Sequence, residues 1–114
     1  MKTVDKNIEL GELKEMSQKM FGNLVKAVVD IEKGIMAVDA ELHSDEEAFL
    51  LENGSKQENL WGINIYPEFF EQDDFVEFDS MINLRPAQNN RSRGVDDPEI
   101  RKRILEIINK LISK

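Results

Sequence analysis

Two apolar runs with the period of a β-strand flank a tight-turn sequence in the first part of the chain. In residues 24–31 every second side chain is apolar, which is typical of a strand with one buried face. Residues 35–42 repeat this alternation, and Gly34 between the runs can adopt the positive φ that a tight turn needs. The sequence therefore predicts a β-hairpin over residues 24–42, and the fold must include an antiparallel sheet.

Two further alternating runs predict a second pair of strands. In residues 60–66, Trp61 is in phase with the two isoleucines that follow it, and Pro67 ends the run. Residues 75–85 alternate over a longer stretch and predict a long strand. The acidic residues 68–74 between them predict a surface connection, so these two strands would form a second hairpin.

Three segments have the sequence pattern of helices. Residues 8–21 repeat apolar side chains at helical spacing, and an aspartate–proline pair is typical of the start of a last helix over residues 98–111. Ser44 and Glu47 fit a capping box, which predicts a short helix over residues 45–52. The alternative for that middle segment is a strand, because its apolar run is short.

The predicted order of elements is α-ββ-α-ββ-α. With 114 residues the chain has the size of one domain, so we expect a single α+β domain over residues 1–114. The pattern favours a single antiparallel sheet of about four strands, arranged as two hairpins, with the helices packed on one face. The opposite face of the sheet would then be polar and would carry Lys26, Asp30, Asp39, Glu41, His43, Tyr66, Glu77, Asp79, Asn83 and Arg85.

Composition places the chain among globular proteins and narrows its chemistry. Hydrophobic residues make up 40% of the chain and charged residues 33%, which is typical of a packed domain. No stretch approaches the roughly 20 consecutive apolar residues of a membrane helix, and residues 1–10 lack the apolar segment of a signal peptide. Cysteine is absent, which excludes disulfides, thiolate nucleophiles and cysteine-ligated zinc. We therefore expect a cytoplasmic location without membrane association.

Charge is distributed unevenly along the chain, whose formal net charge is −8. Residues 39–79 hold thirteen acidic residues and one lysine, whereas residues 80–114 hold eight basic and four acidic residues. Overall acidity argues against general nucleic-acid binding, although a local contact through the arginine-containing segment stays open. The two oppositely charged regions could also meet between copies of the chain, so a homodimer is one arrangement to test.

The segment from Arg85 to Gly94 is the strongest candidate for a binding site. It joins a predicted strand to a predicted helix, and it has almost no apolar side chain. Arginine presents a planar fork of donors suited to carboxylate or phosphate, and a helix start adds free backbone N–H groups. The alternative is a loop held by its own hydrogen bonds. The residues predicted to contact a small anionic ligand or a protein partner are Arg85, Asn89, Asn90, Arg91 and Arg93.

A second candidate site combines acidic side chains with the only histidine of the chain. On a strand, Asp39, Glu41 and His43 would point to the same side. Carboxylate and imidazole groups together can transfer protons or bind a divalent metal, but one histidine cannot form a multi-histidine zinc site. No metal and no cofactor are predicted. The candidate catalytic residues are Glu41, His43 and Asp79, and the alternative is a solvated strand edge.

Several segments resemble a family of small prokaryotic single-domain proteins of unknown function. The similar segments are residues 41–47, 52–64, 77–86, 89–94 and 97–101. The resemblance extends from about residue 24 to residue 111. It implies a one-domain protein with cytoplasmic character, and it brings no activity, ligand or site residue with it.

Three functions of different classes follow, in this order of preference. The first is a binding module that uses the Arg/Asn-rich loop 85–94. The second is a small hydrolase or nuclease-like enzyme, in which acid–base groups would act on a phosphate or carboxylate held by arginines. Its residues would be Glu41, His43, Asp79, Arg85, Arg91 and Arg93. The third is a structural or self-associating protein.

Overall fold

A computed structural model describes all residues from Met1 to Lys114. Its helices are α1 (Leu10–Met20), α2 (His43–Glu52) and α3 (Pro98–Leu111). Its strands are β1 (Lys2–Val4), β2 (Ile8–Glu9), β3 (Val25–Asp30), β4 (Ile35–Val38), β5 (Leu60–Ile65), β6 (Val76–Glu77) and β7 (Ile112–Ser113). Short 3₁₀ turns connect several of these elements, and the α+β class predicted from the sequence is confirmed.

The first predicted hairpin is confirmed as β3 and β4, which pair antiparallel. β4 ends at Val38 and not near residue 42, so the prediction that Asp39, Glu41 and His43 share one side of a strand is wrong. Gly34 in the turn has a φ of 69°, in the left-handed region that the tight turn requires. Asp30 ends β3, and its carboxylate accepts hydrogen bonds from the backbone N–H groups of Glu32 and Lys33 at 2.9 Å. It also accepts one from the hydroxyl of Ser55 at 2.7 Å. These bonds hold the turn and tie it to the segment after α2.

The sheet has five strands rather than about four. Its order is β1-β4-β3-β5-β6, and every neighbouring pair is antiparallel. The additional strand is β1, whose three residues pair with the outer edge of β4. Such a short run of mixed polarity shows no recognisable alternation in the sequence. The single sheet is also a wrong prediction, because β2 and β7 form a separate parallel pair that joins the two ends of the chain.

Helices cover both faces of the sheet, whereas only one covered face was expected. On one face, the apolar stripes of α1 and α3 meet alternate residues of β3, β4 and β5 in the main core. On the other face, Leu50 of α2 packs with Val28, Ala37 and Leu60 in a smaller cluster. These three strand residues are apolar in the phase that was expected to be polar, so α2 has a surface to bury. The predicted polar face is therefore open only in part.

The long strand predicted over residues 75–85 is wrong beyond its first residues. β6 ends at Glu77, pairs with β5 through two residues, and is followed by a 3₁₀ turn at Met81–Asn83. Beyond that point the side chain of Asn83 makes the backbone hydrogen bonds that a neighbouring strand would make. Its Oδ1 accepts a hydrogen bond from the N–H of Gly62 at 2.8 Å, and its Nδ2 donates to the carbonyl of Gly62 at 3.0 Å. The irregular segment lies beside β5, and alternation alone cannot distinguish it from a strand.

The first predicted helix is present with small shifts of its ends, and the last has the predicted bounds. α1 begins at Leu10 because the two preceding residues belong to β2. α3 begins at Pro98, and the side chain of Asp97 accepts a hydrogen bond from the N–H of Glu99 at 2.8 Å. This is the cap that the aspartate–proline pair predicted.

The middle helix α2 is confirmed, but its predicted capping box is wrong. The helix begins at His43, two residues earlier than expected. Leu42 holds the cap position and makes no side-chain hydrogen bond there. Ser44 is therefore inside the first turn, and the strand alternative for this segment is also wrong. The buried residues of the helix are His43, Glu46 and Leu50, which lie on one face of it at helical spacing.

Candidate functional site

An open cleft of about 200 Å³ lies on the face of the sheet that α2 covers, beside the first turn of that helix. β3 and β5 supply Lys26 and Asn64, which lie opposite each other in the sheet. The start of α2 and the irregular segment after β6 supply the other sides. We name this feature the α2 cleft, and its polar residues are Lys26, His43, Ser44, Asn64, Asp79, Ser80 and Arg93.

A larger open depression of about 550 Å³ lies elsewhere, between the acidic connection after β5 and helix α3. Its lining includes Phe70, Phe75 and Leu105 together with Glu71 and Asp73. It contains no histidine, lysine or arginine. We therefore place the candidate site in the smaller α2 cleft, where cationic, anionic and imidazole groups meet.

His43 is the first residue of α2, and its ring is buried against the sheet. Its Nε2 donates a hydrogen bond to the carbonyl of Ile63 at 2.7 Å. A carbonyl can only accept, so Nε2 carries the proton and Nδ1 of the neutral ring is an acceptor. Burial lowers the pKa of His43, and the hydrogen bond to Ile63 opposes that shift. The ring is therefore neutral at pH 7.

Two cationic side chains reach the α2 cleft. Arg93 donates from Nε to Oδ1 of Asp79 at 2.7 Å, which leaves the two terminal nitrogens of its guanidinium free of that contact. Lys26 belongs to neither of the two ion pairs of the protein, and its Nζ lies 5.0 Å from the centre of the Phe21 ring. The cations Lys26 and Arg93 outnumber the one acid, Asp79, so the net formal charge of these three side chains is positive.

Asn64 lines the cleft and has one buried acceptor without a partner. The residue is 7% exposed, and its Nδ2 donates to Oε1 of Glu77 at 2.8 Å. Its Oδ1 is enclosed and accepts no hydrogen bond from the protein. A buried carbonyl oxygen without a donor is destabilising, so this atom lowers the stability of the fold at the base of the cleft.

Arg85 does not line the α2 cleft. Its guanidinium lies over the ring of Trp61, with the central carbon 4.2 Å from the ring centre. It donates hydrogen bonds to the carbonyl of Leu60 and, at 2.5 Å, to the carbonyl of Gln57. Arg85 therefore closes the part of the β5 edge that β6 leaves open.

Asn90 also holds the loop internally. It is 3% exposed, and its Nδ2 donates to the carbonyls of Asn83 and Gly94 at 2.7 and 2.8 Å. By contrast, the side chains of Asn89 and Arg91 are exposed. Among the residues predicted for binding, Arg93 alone lines the cleft.

The predicted catalytic residues are only partly brought together. His43 and Asp79 line the α2 cleft with Arg93. Glu41 is exposed and lies outside the cleft lining, as does Arg91. The combined site of the enzyme hypothesis is therefore not assembled in the form predicted. No group of three or more histidine or acidic side chains is positioned to hold a metal ion.

Comparison with protein families decides the membership of the chain. A family model described as a protein of unknown function, DUF5674, matches residues 2–111. The chain belongs to the DUF5674 family. The resemblance to a family of unknown function is confirmed, while the prokaryotic origin stays a prediction. Neither the curated proteins nor the solved structures gave a significant match.

Three residues of this DUF5674 protein that matter at the site were not predicted as site residues. Lys26 and Asn64 occupy the polar phase of alternating strands, which indicates a face but not a cleft. Glu46 is the middle one of three consecutive acidic residues, a pattern typical of a surface, yet it is fully buried. No helix of the protein combines the length and the apolar character needed to cross a bilayer.

Glu46 is a buried carboxyl one turn along α2 from His43. Neither carboxyl oxygen has a hydrogen bond of normal geometry. Burial raises the pKa of Glu46 to about 10, although the backbone of Ala40 and the charge of Lys26 oppose that shift. The side chain is therefore protonated at pH 7 and adds no negative charge beside the cleft.

Proposed function

We propose that this DUF5674 protein is a binding module that takes a small anionic ligand in the α2 cleft. The observation that carries the proposal is the convergence of Lys26 and Arg93, from distant parts of the sequence, at the first turn of α2. Two cations on one small cleft are notable in a chain whose formal net charge is −8. A ligand anion would meet both charges at once.

The first turn of α2 supports the same ligand sign. The backbone N–H groups at a helix start have no partner within the helix, and the helix dipole favours an anion there. α2 has ten residues, and its cap position offers no side-chain acceptor for these groups. His43 is neutral, so its Nδ1 can accept a hydrogen bond from a protonated ligand group.

Asp79 supports the proposal as a positioning group for Arg93. Its Oδ1 bonds to Nε, which holds the guanidinium at the edge of the cleft. The pair is exposed, so by itself it contributes little to stability. The terminal nitrogens of Arg93 would then donate to a carboxylate or phosphate.

The proposal is tested by titrating ¹⁵N-labelled protein with acetate and with inorganic phosphate, and following backbone shifts by NMR. We expect shifts to be largest for residues 43–45 and 93, and to disappear in Lys26→Gln and Arg93→Gln. Arg91→Gln is the matched control, because it removes the same charge from an exposed position in the same loop.

Arg91→Gln should leave the titration unchanged. Loss of binding in Arg91→Gln but not in Arg93→Gln would move the ligand to the outside of loop 85–94, and the proposal for the α2 cleft would fail. Equal shifts in all three variants would indicate nonspecific screening by salt.

A small hydrolase is the second candidate, favoured by the neutral imidazole beside Asp79 in the cleft. His43 would act as a general base through Nδ1. The test is hydrolysis of p-nitrophenyl acetate and p-nitrophenyl phosphate: the enzyme requires a rate above that of buffer which His43→Gln removes. A rate that survives His43→Gln would reject this candidate. The cytoplasmic location stays a prediction in either case.

A further inference from the structure

A strongly acidic surface lies on the connection between β5 and β6, and it shares no residue with the lining of the α2 cleft. Residues 57–84 contain no lysine, arginine or histidine, whereas residues 66–77 hold five acidic side chains. None of these five belongs to either of the two ion pairs of the protein. Their negative charge is therefore not neutralised by a contact within the fold, and it is available to a cationic partner.

The same connection is held in one shape by its own contacts. Its two ends are joined, because the N–H of Tyr66 donates to the carbonyl of Phe75 at 2.9 Å. Phe75 is buried, and its ring meets the ring of Phe70 edge-on at a centroid distance of 5.2 Å. Pro67 is buried as well. The exposed rings and carboxylates of the connection are therefore preorganised, and they lose little freedom when a partner binds.

An open depression of about 310 Å³ on this connection, which we name the ring depression, is lined by Val76, two aromatic rings and two carboxylates. The rings of Tyr66 and Phe69 have centroids 6.2 Å apart and are tilted by 39°, and Phe69 is 40% exposed. The Tyr66 hydroxyl donates to Oε1 of Glu77 at 3.0 Å, which places one carboxylate beside the rings. The other carboxylate is that of Asp74, which is exposed. Aromatic faces with adjacent carboxylates suit an organic cation.

The depression of about 550 Å³ beside α3, which we name the α3 depression, adjoins the ring depression, because Val76 lines both. Its apolar part includes Phe70, Phe75 and Leu105, and Leu105 is 39% exposed. A cation in the ring depression would therefore have room for an apolar side chain next to it.

We propose that this surface docks a basic segment of a partner polypeptide, in which an arginine lies close to a large apolar residue. The guanidinium would stack on the two rings and donate to the two carboxylates, and the apolar side chain would enter the α3 depression. A small free cation would fill only the ring depression. A second copy of the chain is a poorer occupant, because it has the same formal net charge of −8.

The pentapeptide Arg-Ala-Leu-Ala-Arg, acetylated and amidated at its ends, is a suitable probe. In an extended peptide, residues two apart point the same way at a spacing of about 7 Å, and this sequence reads the same in both directions. Titration of ¹⁵N-labelled protein, followed by NMR, should shift residues 66–77 and 105–109 and leave residues 43–45 unchanged. Citrulline in place of both arginines should weaken binding at least about tenfold, and alanine in place of leucine several-fold. Equal binding of all three peptides would overturn the proposal.

Asp74→Asn separates a specific contact from the general attraction between a basic peptide and an acidic protein. Glu68→Gln is the matched control, because it removes one charge from the same connection outside both depressions. Asp74→Asn and Phe69→Leu should each weaken binding of the pentapeptide several-fold, while Glu68→Gln should change it little. The same weakening in Asp74→Asn and Glu68→Gln would indicate nonspecific attraction and reject the docking surface.

Leu105→Ser tests the α3 depression. Leu105 and Leu51 are 39% and 41% exposed, and only Leu105 lines this depression. Leu105→Ser should remove the preference for the leucine pentapeptide over its alanine form, whereas Leu51→Ser should keep it. An undiminished preference in Leu105→Ser would contradict the assignment of the apolar residue.

Two further measurements distinguish the other occupants. N-acetyl-arginine amide carries the guanidinium without the apolar neighbour, and binding as tight as that of the pentapeptide would identify a small cation instead of a polypeptide. Sedimentation of the protein alone should give a monomer, and a dimer that Asp74→Asn dissociates would identify a second copy instead. Either result would overturn the proposal. The anion binding proposed for the α2 cleft is tested with acetate and phosphate, so the two proposals can fail separately.

Discussion

The carboxyl group of Glu46 has no exposed area and no hydrogen bond of normal geometry, and burial raises its pKa to about 10. In the unfolded chain the same group would ionise near pH 4.5. The folded state therefore binds one more proton than the unfolded state between these pH values. Because the slope of stability with pH follows this difference, stability falls as pH rises through that window.

We expect Glu46→Gln to stabilise the protein at neutral and alkaline pH. Folding of the wild type at pH 7 requires the uptake of a proton by Glu46, which lowers the free energy of unfolding by roughly 3 kcal/mol. The amide of glutamine has a similar shape and needs no proton, so the variant avoids this loss. Urea unfolding at pH 5 and pH 8 measures the effect: the wild type should be less stable at pH 8, and the variant should show much less of this loss. Equal pH dependence in both proteins would show that Glu46 is ionised in the fold.

His43 has the opposite pH behaviour. Its pKa is lowered by burial, so the unfolded chain binds a proton that the folded chain does not as pH falls below the usual value of 6.5. The stabilising effect is present above that value and is lost as pH falls. A titration of the His43 ring by NMR should give a pKa below 6.5. A value above 6.5 would contradict the burial of the ring.

At the scale of elements, the edge of β5 explains why the second half of the sequence was harder to interpret. β6 pairs with only two residues of β5, and the side chains of Asn83 and Arg85 bond to the backbone of Gly62 and Leu60. These two side chains make hydrogen bonds that a neighbouring strand would otherwise make. The sequence of residues 75–85 still alternates like a strand, so the pattern does not reveal the difference. The first hairpin was predictable because its turn and both strands follow local rules.

Gly62 permits the close approach of this irregular segment. A Cβ at position 62 would lie 2.6 Å from the Cβ and the hydroxyl of Ser80. Gly62→Ala should therefore destabilise the fold by roughly 1–3 kcal/mol in urea unfolding. Gly11→Ala is the matched control, because nothing lies within 4 Å of its added Cβ and alanine favours a helix.

Ser80→Gly identifies the clash as the cause. In a double-mutant cycle, Gly62→Ala should cost less when Ser80 is already glycine. An additive result would mean that the cost arises in the backbone of β5 and not at the contact with the 80–83 segment.

At the scale of the whole molecule, the fold class was predictable and the site was predictable only in part. Periodicity identifies which residues alternate, so the helices and the first hairpin could be located. The meeting of Lys26, Asn64, His43 and Arg93 depends on pairings between distant segments, which periodicity does not report. The predicted loop 85–94 supplies Arg93 to the cleft. Arg85 instead bonds to the carbonyl of Leu60, and Asn90 bonds to the carbonyl of Asn83. A homodimer through the oppositely charged regions stays a prediction.

A single cooperative unit is expected because pairings join the two ends of the chain. β1 pairs with β4, and β2 pairs with β7. Urea unfolding followed by far-UV circular dichroism and by the fluorescence of Trp61, the only tryptophan, should give coincident transitions. Separate midpoints for the two signals would contradict the prediction of one domain over residues 1–114.

Part of the edge of β5 is hydrogen-bonded by side chains instead of a neighbouring strand, and this affects aggregation. Leu60–Ile65 is an uncharged, mostly apolar strand, and part of its outer edge is shielded by Asn83 and Arg85 alone. When the 80–93 segment detaches locally, that edge presents free N–H and C=O groups to other chains. Solubility on warming therefore depends on how firmly a few side chains hold this segment, and precipitation can begin while most of the core is still folded.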